Sequence, residues 1–219
     1  MTKRIKKLWA KPWAIPALCA AVCLVLWLGG SIWGLASDLA AKAGGRLYPF
    51  SLGTDEFYAE NILFEEDGTL VTTTDDPQMI WANMDGRTVR TLRFTAEYSD
   101  SAREMCLYYT NGAREAFSQD KRVFATQSND GKSYLYTLPQ GPISELRLDP
   151  CSVAGNHIQV ESIVLNEEVP LWKYFAPGWH RGFQMVLYTA LAAAGLETLR
   201  RLVETLHPPK AGAKASASP

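Results

Sequence analysis

The 219-residue chain has three histidines, His157, His180 and His207, and four cysteines, and no spacing among them matches a zinc site. It lacks a glycine-rich phosphate loop of Walker or dinucleotide type. It also lacks the G-x-S-x-G turn that exposes a nucleophilic serine. Its acidic middle carries no basic footprint with which to neutralise phosphates, which excludes nucleic acid as the expected partner. Carboxylates are plentiful, at 23, yet none is marked by its context as half of a glycosidase pair. These absences leave an enzyme without positive support, and no resident cofactor is expected.

Charge is missing altogether from residues 12–37, PWAIPALCAAVCLVLWLGGSIWGLAS. A helix of ~20 apolar residues crosses the ~30 Å hydrocarbon core of a bilayer, so this run predicts a transmembrane helix in contact with lipid. Residues 1–11 before it carry Lys3, Arg4, Lys6, Lys7 and Lys11, a cluster that stays cytoplasmic under the positive-inside bias. The rival reading is a cleaved signal peptide. Its A-x-A-like pattern occurs at Ala36-Ser37-Asp38-Leu39-Ala40-Ala41, but the apolar core is longer than the usual leader. From Asp38 to Arg181 there are 13 Lys+Arg against 21 Asp+Glu, a net of −8, while the two ends together carry +7. That segregation predicts two cytoplasmic termini and an extracytoplasmic middle.

Residues 38–46 read as a linker ending in Gly44-Gly45. Between 47 and 168 short β-branched and aromatic segments alternate with turn residues, the rhythm of an all-β sandwich. Eight strands are expected, at 57–64, 69–73, 78–82, 88–98, 104–110, 133–138, 143–149 and 157–165. Leu92, Phe94, Ala96 and Tyr98 share one face opposite Arg93, Thr95 and Glu97, and Leu146 and Leu148 alternate with Glu145, Arg147 and Asp149. The fold class predicted is a membrane-anchored all-β protein, an antiparallel jelly-roll-like β-sandwich between an N-terminal and a C-terminal transmembrane helix.

Residues 169–177 form an aromatic segment of interfacial composition, with Trp172, Tyr174 and Phe175. The stretch 178–206 reads as a second membrane helix whose end becomes amphipathic, with Leu199, Leu202, Val203 and Leu206 opposite Arg200, Arg201 and Glu204. Its uncharged run, Gly182 to Leu196, is short for a span, so a helix lying on the surface is the alternative. The tail 207–219 is rich in Pro, Ala and Ser and predicted to be disordered. Gly30 with Gly34, and Ala190 with Ala194, are candidates for close helix packing, although such residues are common in any membrane span.

Other candidates lie in the middle. Cys106 and Cys151 are a candidate disulfide or else two buried thiols. Asp75 and Asp76 before Pro77 could hold a structural Ca²⁺ or simply begin a turn. Trp81, Tyr108, Tyr109 and Tyr134 could form an aromatic ligand platform, although aromatic residues in a sandwich more often fill the core.

The sequence DDPQ, a Tyr-rich strand followed by FSQ, then LRLDP, then Gly155-x-His157-Ile158-x-Val160-x-Ser162-Ile163-x-Leu165, resembles a jelly-roll β-sandwich module of carbohydrate-binding type. Similar modules are found on bacterial membrane proteins of cell-surface polysaccharide assembly. The resemblance covers roughly residues 55–166 and implies a binding or accessory subunit in the bacterial plasma membrane. Its implied partners are envelope polysaccharide or a membrane glycosyltransferase. A structural subunit without sugar binding is the alternative, and an envelope glycan hydrolase the third.

Overall fold

The structure is a computed structural model that describes Lys11 and residues 13–206, apart from the His180 side chain. The basic start before Lys11 and the tail 207–219 lie outside the described residues. The chain divides into two compact units, one spanning Gly34–Pro170, the other collecting the described residues up to Trp33 and from Leu171 onward.

The Gly34–Pro170 unit is an antiparallel β-sandwich. Its strands are β1 Phe50–Leu52, β2 Tyr58–Glu60, β3 Ile62–Phe64, β4 Leu70–Thr72, β5 Gln78–Ala82 and β6 Thr91–Tyr98. They continue with β7 Cys106–Thr110, β8 Arg122–Phe124, β9 Thr126–Gln127, β10 Ser133–Thr137, β11 Glu145–Asp149 and β12 His157–Leu165. One sheet has seven strands in the order β3-β4-β12-β6-β10-β9, with β1 also paired to β12. The other has five, in the order β2-β5-β11-β7-β8.

Alternation builds the core as expected. Leu92, Phe94, Leu107, Leu146, Leu148, Ile158, Ile163 and Leu165 are sealed between the sheets. Each such side chain contributes about 1.5–3 kcal/mol by leaving water. Strand β12 keeps its apolar residues inward through a bulge between Val160 and Ser162, which moves the inward set from 158 and 160 to 163 and 165. The run 57–64, expected as one strand, is two. Asn61 adopts φ 60°, a left-handed conformation that Asn tolerates, and it sends β2 into one sheet and β3 into the other. Strands β1, β8 and β9 were not expected; each has only two or three residues, too few to show a period.

Helix α1, Ala14–Ala43, runs past the expected boundary at residue 37, so most of the predicted linker 38–46 is helical. It ends in a Schellman-type turn in which the Arg46 N–H reaches the Ala41 carbonyl at 2.9 Å and Gly45 sits at φ 67°. The positions from Gly34 to Ala43 belong to the sandwich unit.

The other unit holds the earlier part of α1, the short helix α2, Trp172–Phe175, and helix α3, Trp179–Leu206. The Cys23 thiol of α1 donates to the Met185 carbonyl of α3 at 3.9 Å. Ile15, Cys19, Cys23 and Trp27, four residues apart, form the partly covered face of α1, and Ala193 is buried on α3. The small-residue pairs do not make this contact. A side chain at Gly30 would meet nothing, Ala190 and Ala194 are exposed, and Gly34 meets the Gln140 side chain of the sandwich instead. Among the described residues α1 is the one helix long and apolar enough to cross a membrane. The segment expected as a second span does form a helix, but it falls short of that measure, and Glu197, Arg200, Arg201 and Glu204 charge its last turns.

Candidate functional site

The outer face of the five-stranded sheet carries a row of aromatic and polar groups directed away from the core. Because Leu146 and Leu148 point inward, Glu145, Arg147 and Asp149 of β11 must point outward. Cross-strand register then aligns Tyr58, Ile80, Arg147, Tyr108 and Arg122, one from each strand, into a single row. A second row places Asp149, Cys106 and Phe124 side by side. With strands ~4.8 Å apart, the face from β2 to β8 spans about 19 Å.

Arg147 is the centre of this face. Its Nε donates to Asp149 Oδ1 at 2.7 Å, and its Nη2 donates to Asp149 Oδ2 at 2.8 Å and to Asp76 Oδ1 at 2.7 Å. The guanidinium also lies over the Tyr108 ring at 5.0 Å from its centroid, so the cation holds both the carboxylates and the ring in place. The Tyr108 hydroxyl meets the Gln119 side-chain amide, which donates to it at 3.2 Å. At one end Tyr58 is 67% exposed, and at the other Phe124 is 54% exposed beneath the Arg122 guanidinium, 4.5 Å from its centroid. Arg122 is steadied by Glu104 at 3.2 Å.

Burial sets the protonation chemistry of the second row. It pushes the Asp149 carboxyl up from its ordinary value, against the opposing pull of Arg147. It also pushes the Cys106 thiol up to about 11, and the neighbouring Asp149 adds to the rise. Cys106 donates weakly to Asp149 Oδ2 at 3.7 Å, while Cys151 faces the Val153 carbonyl at 3.4 Å. Both are free, buried thiols, the second of the two readings of this pair.

Of the four aromatic residues expected as a platform, only Tyr108 lies on this face. Trp81 and Tyr109 pair with the inward Leu146 and point into the sandwich. Tyr134 packs on the core from the other sheet, its ring edge-on to Tyr98 at 6.0 Å. The sequence reading missed Tyr58, Arg122 and Phe124. Tyr58 was hidden because residues 57–64 read as one strand, and Arg122 with Phe124 because β8 is too short to show alternation. In the Asp75-Asp76 pair, Asp76 is engaged by Arg147 at 2.7 Å and by Gln78 Nε2 at 2.8 Å. No group of three or more His, Cys, Asp or Glu side chains is placed to hold a metal among the described residues.

A second concavity of about 380 Å³ opens beside the end of β5, lined by Glu56, Trp81, Ala82, Met84, Asp85 and Arg87. Arg87 pairs with Asp85 and lies over Phe50 at 4.7 Å, and Phe50 tilts against Trp81 at 6.0 Å. Stacking therefore fixes the wall of this hollow.

No protein-family model matches the chain, and no curated protein matches its sequence. The solved structures to which it is similar include carbohydrate-binding modules and also a family two carbohydrate esterase from Cellvibrio japonicus. One is a low affinity xylan binding module, CBM86, from Roseburia intestinalis, at 15% identity over 54% of this chain and 94% of that one, with a TM-score of 0.38. Another is a family 29 carbohydrate binding module at 10% identity, covering 56% of this chain and 98% of that one, with a TM-score of 0.42. A β-1,3-glucan binding CBM6 from Bacillus halodurans matches at 9% identity over 56% and 97% of the two chains, with a TM-score of 0.37.

Proposed function

We propose that this chain is a non-catalytic membrane protein that presents a carbohydrate-binding β-sandwich outside the bacterial plasma membrane, as a binding or accessory subunit in envelope glycan assembly. The observation that carries the sugar-binding reading is the outward row Tyr58–Ile80–Arg147–Tyr108–Arg122 with Phe124 beside it. Exposed rings at both ends offer flat apolar surfaces to sugar C–H faces. Between them the exposed Gln119 amide and Arg122 offer hydrogen bonds to hydroxyls, with the buried Tyr108 hydroxyl holding Gln119 in place. A hydrolase would need two carboxylates facing each other across a cleft. The two that converge here, Asp76 and Asp149, both bind Arg147.

The membrane reading draws on α1, on the −8 and +7 charge segregation, and on α3, which exposes Phe183, Val186, Leu187 and Leu191 on one continuous helix. In this proposal α3 is a second crossing, with both termini cytoplasmic and the aromatic residues before it at the outer interface.

Calorimetric titration of the full chain in mild detergent against soluble fragments of envelope polysaccharide tests the sugar-binding reading. It should show saturable heat with at least one glycan, and Tyr58→Ala and Phe124→Ala should each weaken binding about tenfold. An absence of heat from every fragment would leave the assembly-subunit reading in its place.

A further inference from the structure

The opening apolar run passes equally for an anchor and for a removable leader, and the residues that decide between them are Ala36–Ala41, where the cleavage-like pattern sits. In the structure these residues are the last turns of α1 and belong to the sandwich unit. Asp38, 4% exposed, accepts from Arg90 Nε at 2.7 Å. The Arg90 guanidinium also reaches the Val89 and Gly141 carbonyls, both at 3.3 Å, and its backbone N–H donates to Asn166 Oδ1 at 2.7 Å. Gly34 and Ala41, four residues before and three after Asp38, lie buried on the same side of the helix, and a Cβ at Gly34 would collide with the Gln140 amide.

Two consequences follow from this docking. A leader peptidase needs its target as an extended segment with the small side chains free to enter its pockets. Here the segment is helical and one of its residues is a buried ion-pair partner. Cutting after Ala36 or Ala41 would also detach or unravel the turn that presents Asp38, leaving the half-buried Arg90 without its counter-ion, which a folded domain tolerates poorly.

We infer that the N-terminal helix is retained in the mature protein, and that the sandwich begins as a folding unit at Gly34, with the end of α1 as one of its structural elements. This deepens the anchored reading above and is independent of which ligand the sheet face takes.

Intact mass and N-terminal sequencing of the full chain, expressed with its own start and extracted from membranes, test the retention. The expected result is a chain that still contains residues 13–36. A mature N-terminus anywhere from residue 37 to 42 would overturn it, whereas a failure to bind glycans would not bear on it. The docking is tested by thermal unfolding of the same detergent-solubilised chain. Asp38→Ala should lower Tm by about 5 °C or more, and Asp38→Ala combined with Arg90→Met should be less damaging than the two single changes added together. An unchanged Tm in Asp38→Ala would overturn the docking.

Discussion

Cys106 shows how a side chain is defined by what surrounds it. One reading of the sequence pairs it with Cys151, yet it points from β7 toward the Asp149 carboxylate while Cys151 turns to the Val153 carbonyl. Its proton is held by burial up to about 11, against an ordinary value of 9.0 in the unfolded chain. Below pH 9 the thiol is protonated in both states and its contribution to stability is fully present. As pH rises from 9 through 11 the unfolded chain ionises first, so that contribution is lost. Urea midpoints should therefore fall between these two pH values, and fall less steeply in Cys106→Ala. Both thiols should also resist alkylation at pH 8 until the protein is denatured. The sequence made the pairing of Cys106 with Cys151 plausible because only two cysteines lie in the acidic middle. It could not show that the register Asp149↔Cys106 aims one of them at a carboxylate on the outer face.

At the scale of elements, the strands that were legible are mostly those long enough to alternate: β5, β6, β10, β11 and β12 match their expected positions closely. The short strands β1, β8 and β9 exist only because a neighbour supplies their hydrogen bonds, and no local pattern announces them. Loop asparagines then tie the elements together. Asn166, buried and at φ 57°, follows β12. Its amide donates to the Tyr48 and Thr88 carbonyls at 3.3 and 2.7 Å, and its Oδ1 accepts the Arg90 N–H at 2.7 Å. One side chain therefore ties the end of β12 to the chain entering β1 and to the start of β6. Asn166→Ala should cost about 3 kcal/mol in chemical denaturation, from buried groups left unpaired and a left-handed backbone that Ala resists. A loss below about 1 kcal/mol would show that water or a neighbour replaces it. The end of α1 was misread for a related reason: Asp38 looks like the first charge of a linker until Arg90, distant in sequence, is seen to neutralise it.

For the whole molecule, the sandwich class and the long apolar N-terminal helix were readable because both rest on patterns that span many residues. The candidate face was not, because it is assembled from five strands whose order, β2-β5-β11-β7-β8, cannot be read from any local segment. Three of the four aromatic residues singled out in the sequence turned inward, and the row instead uses Tyr58 and Phe124, from strands of three residues each. The opposite face, on the seven-stranded sheet, is of different character: there Arg93 pairs with Glu167, and Lys132 with Glu97. The two faces thus make different predictions for a ligand. The most direct measurement is residue-resolved chemical-shift mapping of the full chain in detergent micelles, during addition of the polysaccharide fragment that gives heat. The account predicts perturbations concentrated at Tyr58, Tyr108, Gln119, Arg122, Phe124 and Arg147. Perturbations centred on Arg93, Glu97 and Ser162, or confined to the hollow at Glu56 and Arg87, would contradict it.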